Sequence, residues 1–198
     1  MANSDLTKIL IVDDNREIHK DYEKILLPGY DEHETDAAEA AFFGEETLAR
    51  KVEPQYHLDH AYQGQEAMEM VQSAAESGEH YTFAFVDMRM PPGWDGVETI
   101  ENLWTVDPKL QVVVCTAYSD YSWEEMITRL GTTDKMLILK KPFDNVEVQQ
   151  LALALTEKRR LADLEKWMLR EMEELACEKI ELLEAAQSER DQLLGSAS

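Results

Sequence analysis

Apolar positions run along the chain in two distinct patterns. Five short stretches read as strands: residues 8–12, 56–61, 83–87, 111–116 and 136–139, all but the second apolar almost without interruption. The first, third and fourth are rich in β-branched or aromatic residues. Runs apolar on both faces are the signature of strands buried inside a parallel sheet. Between them the apolar positions recur at helical spacing. Ile18, Tyr22, Ile25 and Leu26 form one stripe, stopped by Pro28-Gly29. Ala67, Met68, Val71 and Ala74 form the next, after Gly64 and up to Ser77-Gly78. A third helix is predicted over 94–104 and a fourth through Met126, Ile127 and Leu130, opened by the capping box Ser122-x-x-Glu125 and ended by Gly131. Asp144-x-x-Glu147 opens a fifth.

Five strands alternating with five helices predict an α/β fold, a doubly wound parallel sheet. Right-handed crossovers leave few topologies, and the flavodoxin-like order 2-1-3-4-5 sets strands 1 and 3 side by side at the switch point.

Two stretches break the alternation. Residues 28–55 are acidic, with Phe42-Phe43 among the acids, and read as an insertion lying over the surface. From Asn145 to about residue 194 there is neither Pro nor Gly. A helix of that length reaches roughly 75 Å, so only its first turns can pack on a sheet. Its apolar stripe passes through Leu161, Leu164, Met168, Met172, Leu175, Leu182, Ala186 and Leu193. A shifted seam through Ala176, Ile180 and Leu183 competes with it. The pattern is coiled-coil-like with a stutter, and a partner helix is expected.

Composition narrows the function. Hydrophobic content of 44% and charged content of 30% are ordinary for a globular protein. A formal net charge of −22 argues against direct contact with nucleic acid, which needs clustered Lys and Arg. No apolar run approaches a membrane span, so membrane insertion is not expected. Two cysteines, Cys115 and Cys177, form no disulfide framework or metal motif, consistent with a cytoplasmic location. His57 and His60 on the short second strand read as edge histidines.

The candidate chemistry lies at the strand ends. Asp13 and Asp14 follow strand 1, Asp87 ends strand 3, Thr116 ends strand 4 and Lys141 follows strand 5. Three carboxylates in one crevice call for a cation, and an oxygen-only donor set suits Mg²⁺. A hydroxyl and an ammonium at the same rim suit the oxygens of a phosphoryl group. A central carboxylate can act as the nucleophile and form an acyl phosphate. The crevice is built for phosphoryl transfer to Asp87.

These motifs resemble the receiver domains of two-component response regulators. The resemblance rests on Ile11-Val12-Asp13-Asp14-Asn15, Val86-Asp87-Met88-Arg89-Met90-Pro91, Val114-Cys115-Thr116-Ala117 and Lys141-Pro142-Phe143, each closing a predicted strand. It implies Asp87 as acceptor of a phosphoryl group from a histidine kinase or phosphotransfer protein. It implies Asp14 and Asp87 as direct Mg²⁺ ligands, with Asp13 acting through water and the main-chain carbonyl of Arg89 as a further ligand. Thr116 and Lys141 would hold the phosphoryl oxygens. Arg89 and Tyr118 stand where the family tunes dephosphorylation, and as bulky residues they are expected to shield the acyl phosphate. Ile138 stands three residues before Lys141, where the family places an aromatic switch residue.

The expected organisation is a receiver over residues 1–157, interrupted by the insertion at 28–55, and a helical extension over 158–198 that makes a homodimer. No GGDEF or EAL motif is present, so no output enzyme is expected within this chain. Two alternatives stay open: the regulatory front of a longer output enzyme, and a stand-alone phosphorelay shuttle.

Overall fold

A computed structural model describes residues 6–27, 55–117 and 123–195. The expected insertion falls almost wholly outside these residues, as do Tyr118 and the capping residue Ser122. The described elements are β1 (Leu6–Val12), α1 (Arg16–Leu26), β2 (Gln55–Ala61), α2 (Gly64–Glu76), β3 (Phe83–Asp87), α3 (Gly96–Val106), β4 (Gln111–Thr116), α4 (Trp123–Leu130), β5 (Met136–Lys140) and α5 (Asn145–Gly195). The chain divides into two compact units, Met1–Thr156 and Glu157–Ser198.

In the first unit five parallel strands form one sheet in the order β2-β1-β3-β4-β5. This is the flavodoxin-like order expected from the sequence. Strand alternation sorts the core into two layers. Leu10, Val12, Ala84, Val86, Val112 and Val114 face a layer that includes Val71, Val97, Ile100 and Met126 from α2, α3 and α4. Ile9, Ile11, Phe83, Phe85, Val113 and Cys115 face the other, with Tyr22 and Leu26 of α1 and Val148, Ala152 and Leu155 of α5. Every residue of β3 is buried, which is why the strand reads as an unbroken apolar run.

Helix starts follow local chemistry. The Asn15 side chain accepts from Glu17 N and caps α1. Helix α3 begins two residues later than the apolar pattern suggests, because the Asp95 carboxylate accepts from Glu98 N and so acts as its N-cap. The Asp144 box is reciprocal: Asp144 Oδ1 accepts from Val146 N, and Asp144 N donates to Glu147 Oε2.

In the second unit, residues 161–187 of α5 are all exposed. Among the described residues, no helix is long and apolar enough to cross a membrane.

Candidate functional site

The site forms at the C-terminal ends of β1, β3, β4 and β5, and the strand register determines its spacing. Val12 pairs with Val86, so Asp13 and Asp87 emerge beside one another. Asp87 pairs with Cys115 and Thr116 with Lys140, which brings the next two side chains to the same rim. Backbone bonds continue past the sheet: Met88 N donates to Cys115 O, and Lys141 N donates to Thr116 O at 2.9 Å. The Lys141–Pro142 bond is cis.

Lys141 is the hub. Its Nζ lies 2.6 Å from Asp13 Oδ2 and 2.6 Å from Asp87 Oδ1. The other carboxylate oxygens are occupied by the backbone. Asp13 Oδ1 accepts from Asn15 N and Asp87 Oδ2 from Arg89 N, at 2.8 and 2.9 Å. These bonds hold both carboxylates in fixed orientation. Burial pushes the Asp87 carboxyl above its ordinary range, and neighbouring Asp13 adds to that, while Lys141 opposes it. Burial works against the Lys141 ammonium too, but its bonds to Asp13 and Asp87 outweigh it and leave the lysine above its ordinary value.

Asp13, Asp14 and Asp87 each offer a carboxylate oxygen within 4.8 Å of the others. Asp13 and Asp87 are buried and Asp14 is exposed. Such hard oxygen donors fit a small divalent cation. Thr116 is buried, with its hydroxyl donating to Ala117 O at 3.0 Å. Arg89 is exposed, and its backbone follows Asp87 by two residues. Ile138 is half-buried against the α2–α3 layer.

A close approach of backbone shapes the rim. A Cβ on Gly96, at the start of α3, would stand 2.5 Å from Asp87 O and 2.8 Å from Met88 Cα. Only glycine lets α3 begin against the chain that leaves β3.

The family model described as the response regulator receiver domain matches residues 36–153, more than half of the chain. The chain belongs to the response regulator receiver family. The matched span begins after β1, so the adjacency of Asp13 and Asp14 to the receiver's Asp87 comes from the β1–β3 pairing. The chain is similar to a response regulator receiver protein from Sinorhizobium medicae, with 19% identity and a TM-score of 0.52 over 78% of this chain and 97% of that one. A CheY-like receiver from Methanospirillum hungatei has 21% identity and a TM-score of 0.51 over 78% and 98%. A structure named adenylate cyclase, from Rhodopirellula baltica, has 18% identity and a TM-score of 0.57 over 82% and 96%. No curated protein matches the chain.

Beside the receiver site lies a histidine pair that the apolar pattern did not single out. His19 Nε2 stands 2.7 Å from the main-chain carbonyl of Asp13, and His19 Nδ1 lies 2.8 Å from His60 Nδ1. His60 Nε2 in turn reaches Glu23 Oε1 at 3.2 Å. His60 is therefore packed against α1 rather than simply lining an edge. The available signal was spacing: His19, Tyr22 and Leu26 are the buried face of α1, an i, i+3, i+7 set that includes the histidine. Tyr22 OH also meets Cys115 Sγ at 3.1 Å under the site.

Proposed function

We propose that the chain is a response regulator receiver that accepts a phosphoryl group on Asp87 from the phosphohistidine of a histidine kinase or phosphotransfer protein. The observation that carries this reading is Lys141, held between Asp13 and Asp87 at the C-terminal edge of the sheet. An oxygen of the Asp87 carboxylate attacks phosphorus as the P–N bond to the donor imidazole breaks. The bonding pair leaves with the imidazole nitrogen, and an acyl phosphate remains on Asp87. Asp14 and Asp87 would hold Mg²⁺ directly, with Asp13 through water and the Arg89 carbonyl completing the protein ligands. The bound cation supplies neutralisation of charge on the phosphoryl oxygens. Lys141 is close enough to Asp87 to move onto one phosphoryl oxygen, and the Thr116 hydroxyl can turn from Ala117 O to donate to another.

The test uses phosphoramidate, a P–N donor, with Mg²⁺ and intact-mass measurement. The wild-type chain should gain one phosphoryl group that hydroxylamine removes, and Asp87→Asn should gain none. Equal labelling of Asp87→Asn would overturn the assignment.

The receiver occupies residues 1–157 in this reading, and the extension over 158–198 joins two copies. Support comes from the exposed apolar side chains of the second unit, among them Leu161, Trp167 and Met172. Mass in solution, measured with and without Mg²⁺ and beryllofluoride, reads the dimer and its response to the phosphoryl mimic. A monomer in both states would sink it.

A second reading, the regulatory front of a longer output enzyme, is favoured by likeness to the structure named adenylate cyclase. A reading frame that continues after Ser198 into a catalytic domain would decide for it.

A further inference from the structure

The second unit carries a mirror. Leu161, Leu164 and Met168 precede Met172 by 11, 8 and 4 residues, and Ala176, Ile180 and Leu183 follow it by 4, 8 and 11. This path takes the first half of one competing seam and joins it to the second half of the other. Its seven positions, spread over residues 161–183, are themselves uncharged. An 11-residue repeat places 3.67 residues in each turn, close to the natural helix, so the seam stays on one face with little supercoiling. Over six turns it runs about 33 Å. The face is uncovered, with Met172 at its centre 65% exposed.

Hydrophobic symmetry alone permits either orientation of a second helix. The charges distinguish them. Glu165 and Lys179 lie seven residues before and seven after Met172, which puts them within about 20° of it on the same face. Aligned in parallel, two copies would set Glu165 beside Glu165 and Lys179 beside Lys179. Aligned antiparallel about Met172, each Glu165 comes level with a Lys179 of the second copy, twice by symmetry. The wider charge distribution agrees. Residues 157–170 carry five cations and three anions, whereas residues 171–187 carry six anions and one cation. Parallel pairing lays the acidic halves side by side, and antiparallel pairing sets each against a basic half. Within the basic half, Arg159–Asp163 and Arg160–Glu157 ion pairs already neutralise most of the anions.

From this we infer that the second copy of this chain docks antiparallel on the Leu161–Leu183 face, with Met172 at the two-fold axis. The inference rests on the homodimer proposed above and adds its orientation and register.

Cross-linking of the full chain separates the two. Each variant carries Cys177→Ser, and the buried Cys115 is left in place. Met172→Cys lies at the centre in either orientation, so it should cross-link to itself. Its failure to do so, together with a monomeric mass, would remove the homodimer and the orientation with it. Leu164→Cys and Ile180→Cys, each alone, should cross-link poorly. Mixed together, they should yield a covalent heterodimer. Efficient 164–164 and 180–180 products would overturn the orientation while leaving the dimer intact. A charge test needs no engineered cysteine. Lys179→Glu should weaken dimerisation by about tenfold, since two ion pairs become repulsive, and adding Glu165→Lys should restore it. A parallel dimer gains and loses nothing by that reversal, so absence of rescue would count against antiparallel docking.

Discussion

Lys141 Nζ stands 2.6 Å from Asp13 and 2.6 Å from Asp87, joining the ends of β1, β3 and β5 through a single ammonium group. The two carboxylates are almost wholly buried, with side-chain exposures of 4% and 10%, and the lysine is 22% exposed. Two buried anions side by side need a positive charge. Lys141→Ala should therefore cost about 3 kcal/mol of stability in metal-free buffer, read from urea unfolding. Mg²⁺ should restore more stability to this variant than it adds to the wild type. An equal Mg²⁺ response in both proteins would show that the lysine and the cation do not share the same carboxylates.

Gly96 offers a steric test of the same rim. A methyl group there meets the Asp87 carbonyl oxygen at 2.5 Å, and both groups are backbone-bound. Gly96→Ala should destabilise the receiver by about 1–3 kcal/mol and slow Asp87 phosphorylation, because relief requires moving the β3–α3 connection. Gly131→Ala serves as the contrast. It has open space around it and a φ of +76°, so it should cost about 1 kcal/mol through strain alone and leave the phosphorylation rate unchanged.

The two thiols should behave oppositely. Cys115 is buried beneath the site, and burial pushes its thiol up to about 12, while Cys177 is exposed. A disulfide reagent at pH 8 should titrate Cys177 in the native chain and reach Cys115 only after unfolding. The same shift affects stability at alkaline pH. The unfolded thiol loses its proton from about pH 8.5, whereas the folded one keeps it far higher. The unfolded state then binds fewer protons, so stability falls as pH rises through that window. Cys115→Ala should flatten the slope between about pH 8.5 and 10; an unchanged slope would mean that another group controls it.

On the acid side the sign reverses. Burial lowers the His60 pKa, and the adjacent His19 lowers it further against the pull of Glu23 and Asp59. Below about pH 6.5 the unfolded chain takes up a proton that folded His60 resists. The stability His60 contributes is complete above that pH and is lost as the pH falls through it. His60→Gln should reduce the dependence of unfolding free energy on pH between about 6.5 and 5.

Local pattern was enough to place most of the receiver's elements and to put Asp13, Asp14, Asp87, Thr116 and Lys141 at strand ends. Unbroken apolar runs identified the central strands β1, β3 and β4, because a strand covered by helices on both faces has few polar positions to alternate with, whereas edge strand β2 keeps His57, Asp59 and His60 in its sequence. The Asp144 box located the start of α5, because capping is a bond between residues three apart. These five candidates were legible because each stands within two residues of the last apolar residue of a strand. Contacts between elements were decided only by the tertiary structure. The Lys141 bridge, the His19 bond to the Asp13 carbonyl and the approach of Gly96 to Asp87 join residues from 6 to 128 positions apart. They depend on sheet order, register and helix placement, which arise from packing the whole chain. No periodicity within one segment encodes how close two such segments come.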